Sequence, residues 1–254
     1  MKKVIMALLA ASLILATVSC GDTGKTASPD SNRAQIPYFE VPEETNNEIP
    51  EYITIRGEHL DTTLTEFHFM RPAFDNLEND DIEPLKYMAD LTSLNLSFKP
   101  LINDISPLSE LIKLTKLDLV ENQINDINPL AKLTNLTELW LSHNQIEDIS
   151  PLAGLINLTS LSIHDNKISD VSALEGLTNL EILNLINNQI SDVSALEGLT
   201  NLKSLALDGN SISDVSALMK LTNLTQLMIR ENPITAEQAS QLREALPNTT
   251  IFFD

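Results

Sequence analysis

The side chains best suited to chemistry are few in this 254-residue sequence, which has four histidines, one cysteine and one tryptophan. His143, His164, Asp165 and Asp118 are of the types that bind a metal ion through imidazole nitrogens and carboxylate oxygens. The two histidines lack the tight spacing of a metal-binding motif, so we expect no metal. No glycine-rich phosphate loop, His-x-x-x-His pair or nucleophile motif is present in the sequence. We therefore expect neither catalysis nor a cofactor.

The single cysteine, Cys20, directly follows an apolar run. Lys2 and Lys3 precede that run, VIMALLAASLILATV, which is shorter than the about 20 apolar residues of a membrane-spanning helix. This arrangement predicts a secretory signal peptide at residues 1–19. The junction TVSC resembles that of bacterial lipoproteins, which implies cleavage before Cys20 and attachment of lipid to it. Thr17 stands where these proteins usually have leucine, so ordinary cleavage and secretion stay open as the alternative.

The charge and composition of the chain limit the kinds of partner that it can bind. The chain has 16 Lys and Arg against 36 Asp and Glu, a formal net charge of −20, and removal of residues 1–19 with their two lysines gives −22. Nucleic-acid binding needs clustered basic residues, so it is not expected. Residues 20–50 are polar and acidic with four prolines, which predicts a flexible tether after the lipidated cysteine.

From residue 111 the chain repeats itself with a period of 22. The period is marked by Leu111, Leu133, Leu155, Leu177, Leu199 and Leu221. Each unit reads L-x-x-L-x-x-L-x-[LI]-x-x-N-x-I, and the central L-x-L alternates as a half-buried strand does. Residues 88–110 form an irregular earlier unit with one extra residue and no asparagine in the turn.

This pattern resembles the leucine-rich repeat family in its 22-residue, internalin-type form, over residues 51–254. The resemblance implies an α/β solenoid with parallel strands on a concave face and short 3₁₀-like segments on the convex face. We expect an N-terminal cap and irregular first repeat at 51–87, with one opening strand in EYITIRGEH. Repeats fill residues 88–234, and a C-terminal cap follows at 235–254.

Two polar residue types recur in register with the leucines, and both are expected to serve the repeat. The asparagines should pair with backbone groups at the bend after each strand; they are Asn122, Asn144, Asn166, Asn188, Asn210 and Asn232. The aspartates should cap the short helical turns; they are Asp104, Asp126, Asp148, Asp170, Asp192 and Asp214. A row of sugar-binding asparagines and a calcium ladder are the less favoured alternatives.

The C-terminal segment predicts a capping helix and a closing strand. Thr235 and Gln238 are spaced as a capping box. Ala239, Leu242, Ala245 and Leu246 share one helical face. The segment TIFFD, residues 250–254, then predicts a last strand.

Trp140 lies between Leu139 and Leu141, so it should face outward if these leucines face the core. Aliphatic residues on nearby strands surround it, and such a group more often marks a contact site than a random exposure. Packing of the indole along its neighbours is the alternative. The predicted ligand-binding residues on the concave face are Asp118, Val120, Glu138, Trp140, His143, Ser162, His164, Ile182, Asn184, Ile186 and Met228.

These features predict a bacterial cell-surface protein, lipid-anchored to a membrane, whose monomeric ectodomain binds a protein or peptide. The internalin-type resemblance implies adhesion or recognition of a host. The immunoglobulin-like segment and cell-wall anchor of internalins have no counterpart here, so invasion is not implied. The alternatives are a binding subunit of an envelope complex and a surface protein that handles carbohydrate or metal.

Overall fold

The computed structural model of the protein describes residues 49–69, 74 and 76–254. The predicted signal peptide, Cys20 and the predicted tether as far as residue 48 lie outside the described residues, so their assignments stay predictions. None of the described helices has the length and hydrophobicity that a membrane span requires.

Nine of the described strands form one parallel sheet, in chain order from one end to the other. They are β3 (Glu66–His68), β4 (Ser93–Asn95), β5 (Lys116–Asp118), β6 (Glu138–Trp140), β7 (Ser160–Ser162), β8 (Ile182–Asn184), β9 (Ser204–Ala206), β10 (Gln226–Met228) and β11 (Thr250–Phe252). The first strand leucines align across the sheet, as Leu139 does with Leu161. The α/β solenoid and its register are therefore confirmed.

The strands are short because only the L-x-L core of each repeat is extended. Leu139, Leu141 and Leu161 are 0% exposed, and full burial of a leucine side chain stabilises a fold by about 1.5–3 kcal/mol. Each repeat stacks its leucines on those of its neighbours, so the core is one continuous column along the solenoid.

The return limb of each repeat is a short 3₁₀ segment on the convex side, as expected. These segments are Glu83–Tyr87, Ser106–Glu110, Asn128–Lys132, Ser150–Leu152, Ser172–Leu174, Ser194–Leu196 and Leu218–Lys220. Asp148 Oδ1 accepts the backbone N–H of Ser150 at 2.8 Å, and the equivalent aspartates do the same. The predicted hydrogen bond to the start of the segment is present, but the N-cap position was wrong: the N-cap is Ile149, and Asp148 stands one residue before it.

The recurring asparagines form an internal ladder, as expected. Asn188 Nδ2 donates to the carbonyls of Leu185 and Ile163, both at 3.1 Å, and its Oδ1 accepts the N–H of Ile168 at 3.0 Å. Each asparagine thus joins its own turn to the preceding repeat. Asn122 is the exception, because its Oδ1 is buried without a partner. The N–H of Ile102, at the equivalent place in the irregular repeat, donates to the carbonyl of Lys99 in its own turn at 2.8 Å instead.

The N-terminal cap differs from the prediction. EYITIRGEH was expected to give one strand, but it gives an antiparallel hairpin of β1 (Tyr52–Ile55) and β2 (Glu58–Asp61), separate from the main sheet. Arg56 and Gly57 make the turn with φ of 50° and 82°, a conformation that glycine adopts readily. The short helix α1 (Asn79–Ile82) follows in the first repeat.

The C-terminal cap has the predicted elements. Helix α2 (Ala236–Ala245) starts at Thr235, and the capping box with Gln238 is present. Leu242 and Leu246 are buried, while Ala239 and Ala245 are half-buried. Strand β11 then pairs with β10 and covers the last repeat.

Candidate ligand-binding surface

The concave face consists of the outward residues of the parallel strands, aligned in columns across the sheet. The middle column is His68, Asn95, Asp118, Trp140, Ser162, Asn184, Ala206, Met228 and Phe252, as the strand register shows. Trp140 is half-buried between two fully buried leucines. Its predicted outward orientation is confirmed.

An apolar group lies around Trp140, and we call Trp140, Val120, Ile182 and Ile186 the concave apolar patch. Ile182 is 50% exposed, and the other three are half-buried. Ile182 lies on β8, two strands from Trp140 on β6, a separation of about 10 Å at the usual strand spacing. Met228 is on β10, about 19 Å from Trp140 by the same spacing, so it lies apart from this patch.

Charged and polar residues flank the patch on its N-terminal side. Asp118 is half-buried; its carboxylate accepts the amide of Asn95 at 2.8 Å and the N–H of Val120 at 3.1 Å. Burial raises the pKa of Asp118 above its usual value, although these hydrogen bonds oppose the shift. Glu138 pairs with Lys116 at 2.7 Å, an exposed ion pair that contributes little to stability.

Three titratable residues meet at the rim of the concave face, and we call them the rim cluster: His143, His164 and Asp165. Asp165 Oδ2 is 2.6 Å from His164 Nδ1 and 3.6 Å from His143 Nδ1. The two imidazole rings meet edge to face, with centroids 4.8 Å apart. Asp118, the fourth residue considered for a metal, is engaged with Asn95 and does not join them.

Two contacts at the site were not predicted from the sequence. Asn187 donates its amide to Asp165 Oδ1 at 2.9 Å. Ser142, in the column that also holds His164, is buried and its Oγ is 3.0 Å from that of Ser162. The 22-residue period could have predicted the contact between Asn187 and Asp165, since these residues occupy the same position in consecutive repeats.

That place in the repeat has a distinctive backbone. His143, Asp165 and Asn187 each precede a ladder asparagine and have φ between 53° and 56°. Left-handed backbone is uncommon outside glycine but enriched in Asn, Asp and His. The equivalent residues Glu121 and Glu231 have it as well, so the solenoid imposes this conformation at every turn.

Comparisons with known proteins agree with this architecture. Residues 112–154 and 156–198 match the family described as Leucine Rich repeats (2 copies), and residues 198–219 match the family described as Leucine Rich repeat. No curated protein matches the chain.

Several solved structures are similar to the chain. One is internalin C2 of Listeria monocytogenes, with 31% identity over 78% of this chain and 86% of that one, and a TM-score of 0.70. Another is an internalin (inlF) of the same organism, with 41% identity over 68% of this chain and a TM-score of 0.65; this chain spans 50% of its length. A leucine-rich repeat protein of Leptospira interrogans has 28% identity over 67% of this chain and 45% of that one, and a TM-score of 0.64.

Proposed function

Since the chain belongs to the leucine-rich repeat family, in the internalin-like form of the repeat, we propose that it is a protein-binding module. Its concave face recognises a partner protein or peptide. The fold alone does not decide this, because one fold serves many functions. The support comes from the residues that the repeat leaves free to vary.

The concave apolar patch is the observation that carries the proposal. The fold does not need a tryptophan at position 140, because the equivalent residues on adjacent strands are Asp118 and Ser162. A tryptophan buries about 150–250 Å² when it is covered, and tryptophans are enriched among the residues that dominate binding energy. Aliphatic neighbours within about 10 Å extend the apolar surface around it.

Carbohydrate binding is the second candidate, because Asp118 and Ser162 flank the indole in the register. Both oxygens of Asp118, however, already accept hydrogen bonds within the protein. Ile182, Ile186 and Val120 present aliphatic surface where a sugar would need further polar partners. These contacts favour a protein or peptide partner.

The proposal includes the place of the module in the cell. A signal peptide at residues 1–19 directs export of the chain, and lipid on Cys20 anchors it to a bacterial membrane. Residues 20–50 hold the solenoid away from the membrane surface. The solenoid is monomeric. The sequence features around Cys20 support this arrangement. Secretion without lipid and membership of an envelope complex are its alternatives.

The test compares proteins captured by the wild-type chain and by two variants from bacterial and host lysates. Trp140→Ala removes the centre of the patch, whereas Ile156→Ala removes an exposed aliphatic side chain that is not on a concave strand. We expect at least one protein to be enriched by wild type and Ile156→Ala but lost with Trp140→Ala. Identical capture by all three chains would contradict a binding site at Trp140.

A further inference from the structure

The rim cluster has a property that goes beyond partner binding. The geometry points to a site for a divalent transition-metal ion of the zinc class, bound by His143, His164 and Asp165. The inference does not depend on the identity of any partner.

The ligand atoms are close enough for one ion. One ligand atom from each of the three side chains lies within 4.8 Å of the others. Ligands about 2.0–2.1 Å from a tetrahedral zinc ion are about 3.3–3.4 Å from one another. Side-chain movements of about 1–1.5 Å would bring these ligand atoms to the spacing that a zinc ion requires.

The carboxylate is already oriented for this role. Asn187 holds Asp165 Oδ1 at 2.9 Å, so Oδ2 is left facing both imidazoles. A hydrogen bond to the second carboxylate oxygen is a common second-shell contact in metal sites, where it fixes the ligand.

The cluster is not a requirement of the solenoid. The position of His143 and Asp165 in other repeats is filled by glutamate, asparagine or Gly209, with the same left-handed backbone. The position of His164 is filled by Ser142 in the preceding repeat and by Ile186 in the following one. The repeat folds without imidazoles, so their meeting at one point calls for a reason other than packing.

Two nitrogens and one oxygen favour zinc and its neighbours in the transition series over calcium or magnesium, which prefer oxygen ligands. Three protein ligands leave one coordination position for water or an external ligand. The side chains are 26–46% exposed, so that position opens toward solvent at the edge of the concave face.

The test uses isothermal titration calorimetry to measure zinc binding by the purified full-length chain without an affinity tag. Each substitution copies a residue from a neighbouring repeat: His143→Asn follows Asn187, and His164→Ser follows Ser142. We expect one zinc ion per chain, with affinity reduced roughly tenfold or more in each variant. Asn187→Gly, which follows Gly209, should weaken binding about 10- to 100-fold by releasing the carboxylate.

Controls separate the site from general attraction by an acidic chain. His59→Gln and His68→Gln remove the two histidines outside the cluster and should leave zinc affinity unchanged. Excess Mg²⁺ should not displace zinc. Absence of zinc binding, binding that His143→Asn and His164→Ser leave unchanged, or displacement by Mg²⁺ would each overturn the inference.

Discussion

The asparagine ladder has one incomplete member, and this predicts unequal effects for two otherwise matched substitutions. Asn122 and Asn188 are both buried, and each Nδ2 donates to equivalent carbonyls of its own turn and of the preceding repeat. Asn188 Oδ1 also accepts the N–H of Ile168 at 3.0 Å. Asn122 Oδ1 is buried without a partner.

Replacement by alanine therefore has different net effects on buried polar groups. Asn188→Ala leaves the N–H of Ile168 without its acceptor, while the carbonyls of Ile163 and Leu185 still accept from Asn166 and Asn210. Asn122→Ala takes one donor from the carbonyl of Leu96, but it also removes an acceptor that has no partner. A buried polar group left without a partner costs about 1–3 kcal/mol. We expect Asn188→Ala to lower the free energy of unfolding by about 1–3 kcal/mol more than Asn122→Ala does.

Urea unfolding, monitored by circular dichroism, measures both changes. The slope of the unfolding free energy against urea concentration should match that of wild type, because both variants bury the same surface. Equal losses of stability, or a larger loss in Asn122→Ala, would refute the assignment of a structural hydrogen bond to the ladder oxygens.

Three further variants test the core, the convex turns and the N-terminus. Leu161→Asp places an unpaired carboxylate in a fully buried position and should destabilise the solenoid by several kcal/mol; an unchanged thermal melt would show that the register is wrong. Hydrogen bonds from the backbone and side chains of the following serines lower the pKa of Asp170, Asp192 and Asp214. The ionised aspartates therefore stabilise the fold when the pH is above their unfolded pKa of about 4. This stabilisation is lost as the pH falls through their lower pKa in the folded state. The triple Asp→Asn variant keeps the acceptors, so its melting temperature should fall less than that of wild type between pH 7 and pH 2.5; an equal fall would contradict the capping role. Cys20→Ser should abolish partitioning into the detergent phase, and a wild-type chain that stays in the aqueous phase would contradict the lipid anchor.

The repeat was readable from the sequence because one physical constraint recurs every 22 residues. Leu139, Leu161 and Leu183 must be buried in the same way, so the strand, the outward column and the position of Trp140 all follow from one register. The asparagine ladder and the aspartate caps were predictable for the same reason.

The N-terminal hairpin was not recovered, because it lies before the period begins. Arg56–Gly57 is a less familiar turn pair than Asn-Gly, and the run around it has too few residues to show two strands by alternation alone.

The residues of the rim cluster were considered from the sequence as possible metal ligands, but a metal was not expected, for a different reason. His143 and Asp165 are 22 residues apart, a spacing that matches no linear metal-binding motif. In a solenoid, residues one period apart lie side by side on neighbouring repeats. A spacing of 22 residues therefore brings His143 and Asp165 together, although they are far apart in the sequence. His164 then reaches the same point from the adjoining column of the next strand.

In the proposed function, a partner covers Trp140 on the concave face. Trp140 is the only tryptophan in the chain, so incorporation of 5-fluorotryptophan gives one ¹⁹F resonance for this site. We expect this resonance to shift or broaden when the captured partner is added, and to stay unchanged when a protein that is not captured is added. A partner that binds the chain while the resonance of Trp140 keeps its position and width would contradict a binding site at Trp140.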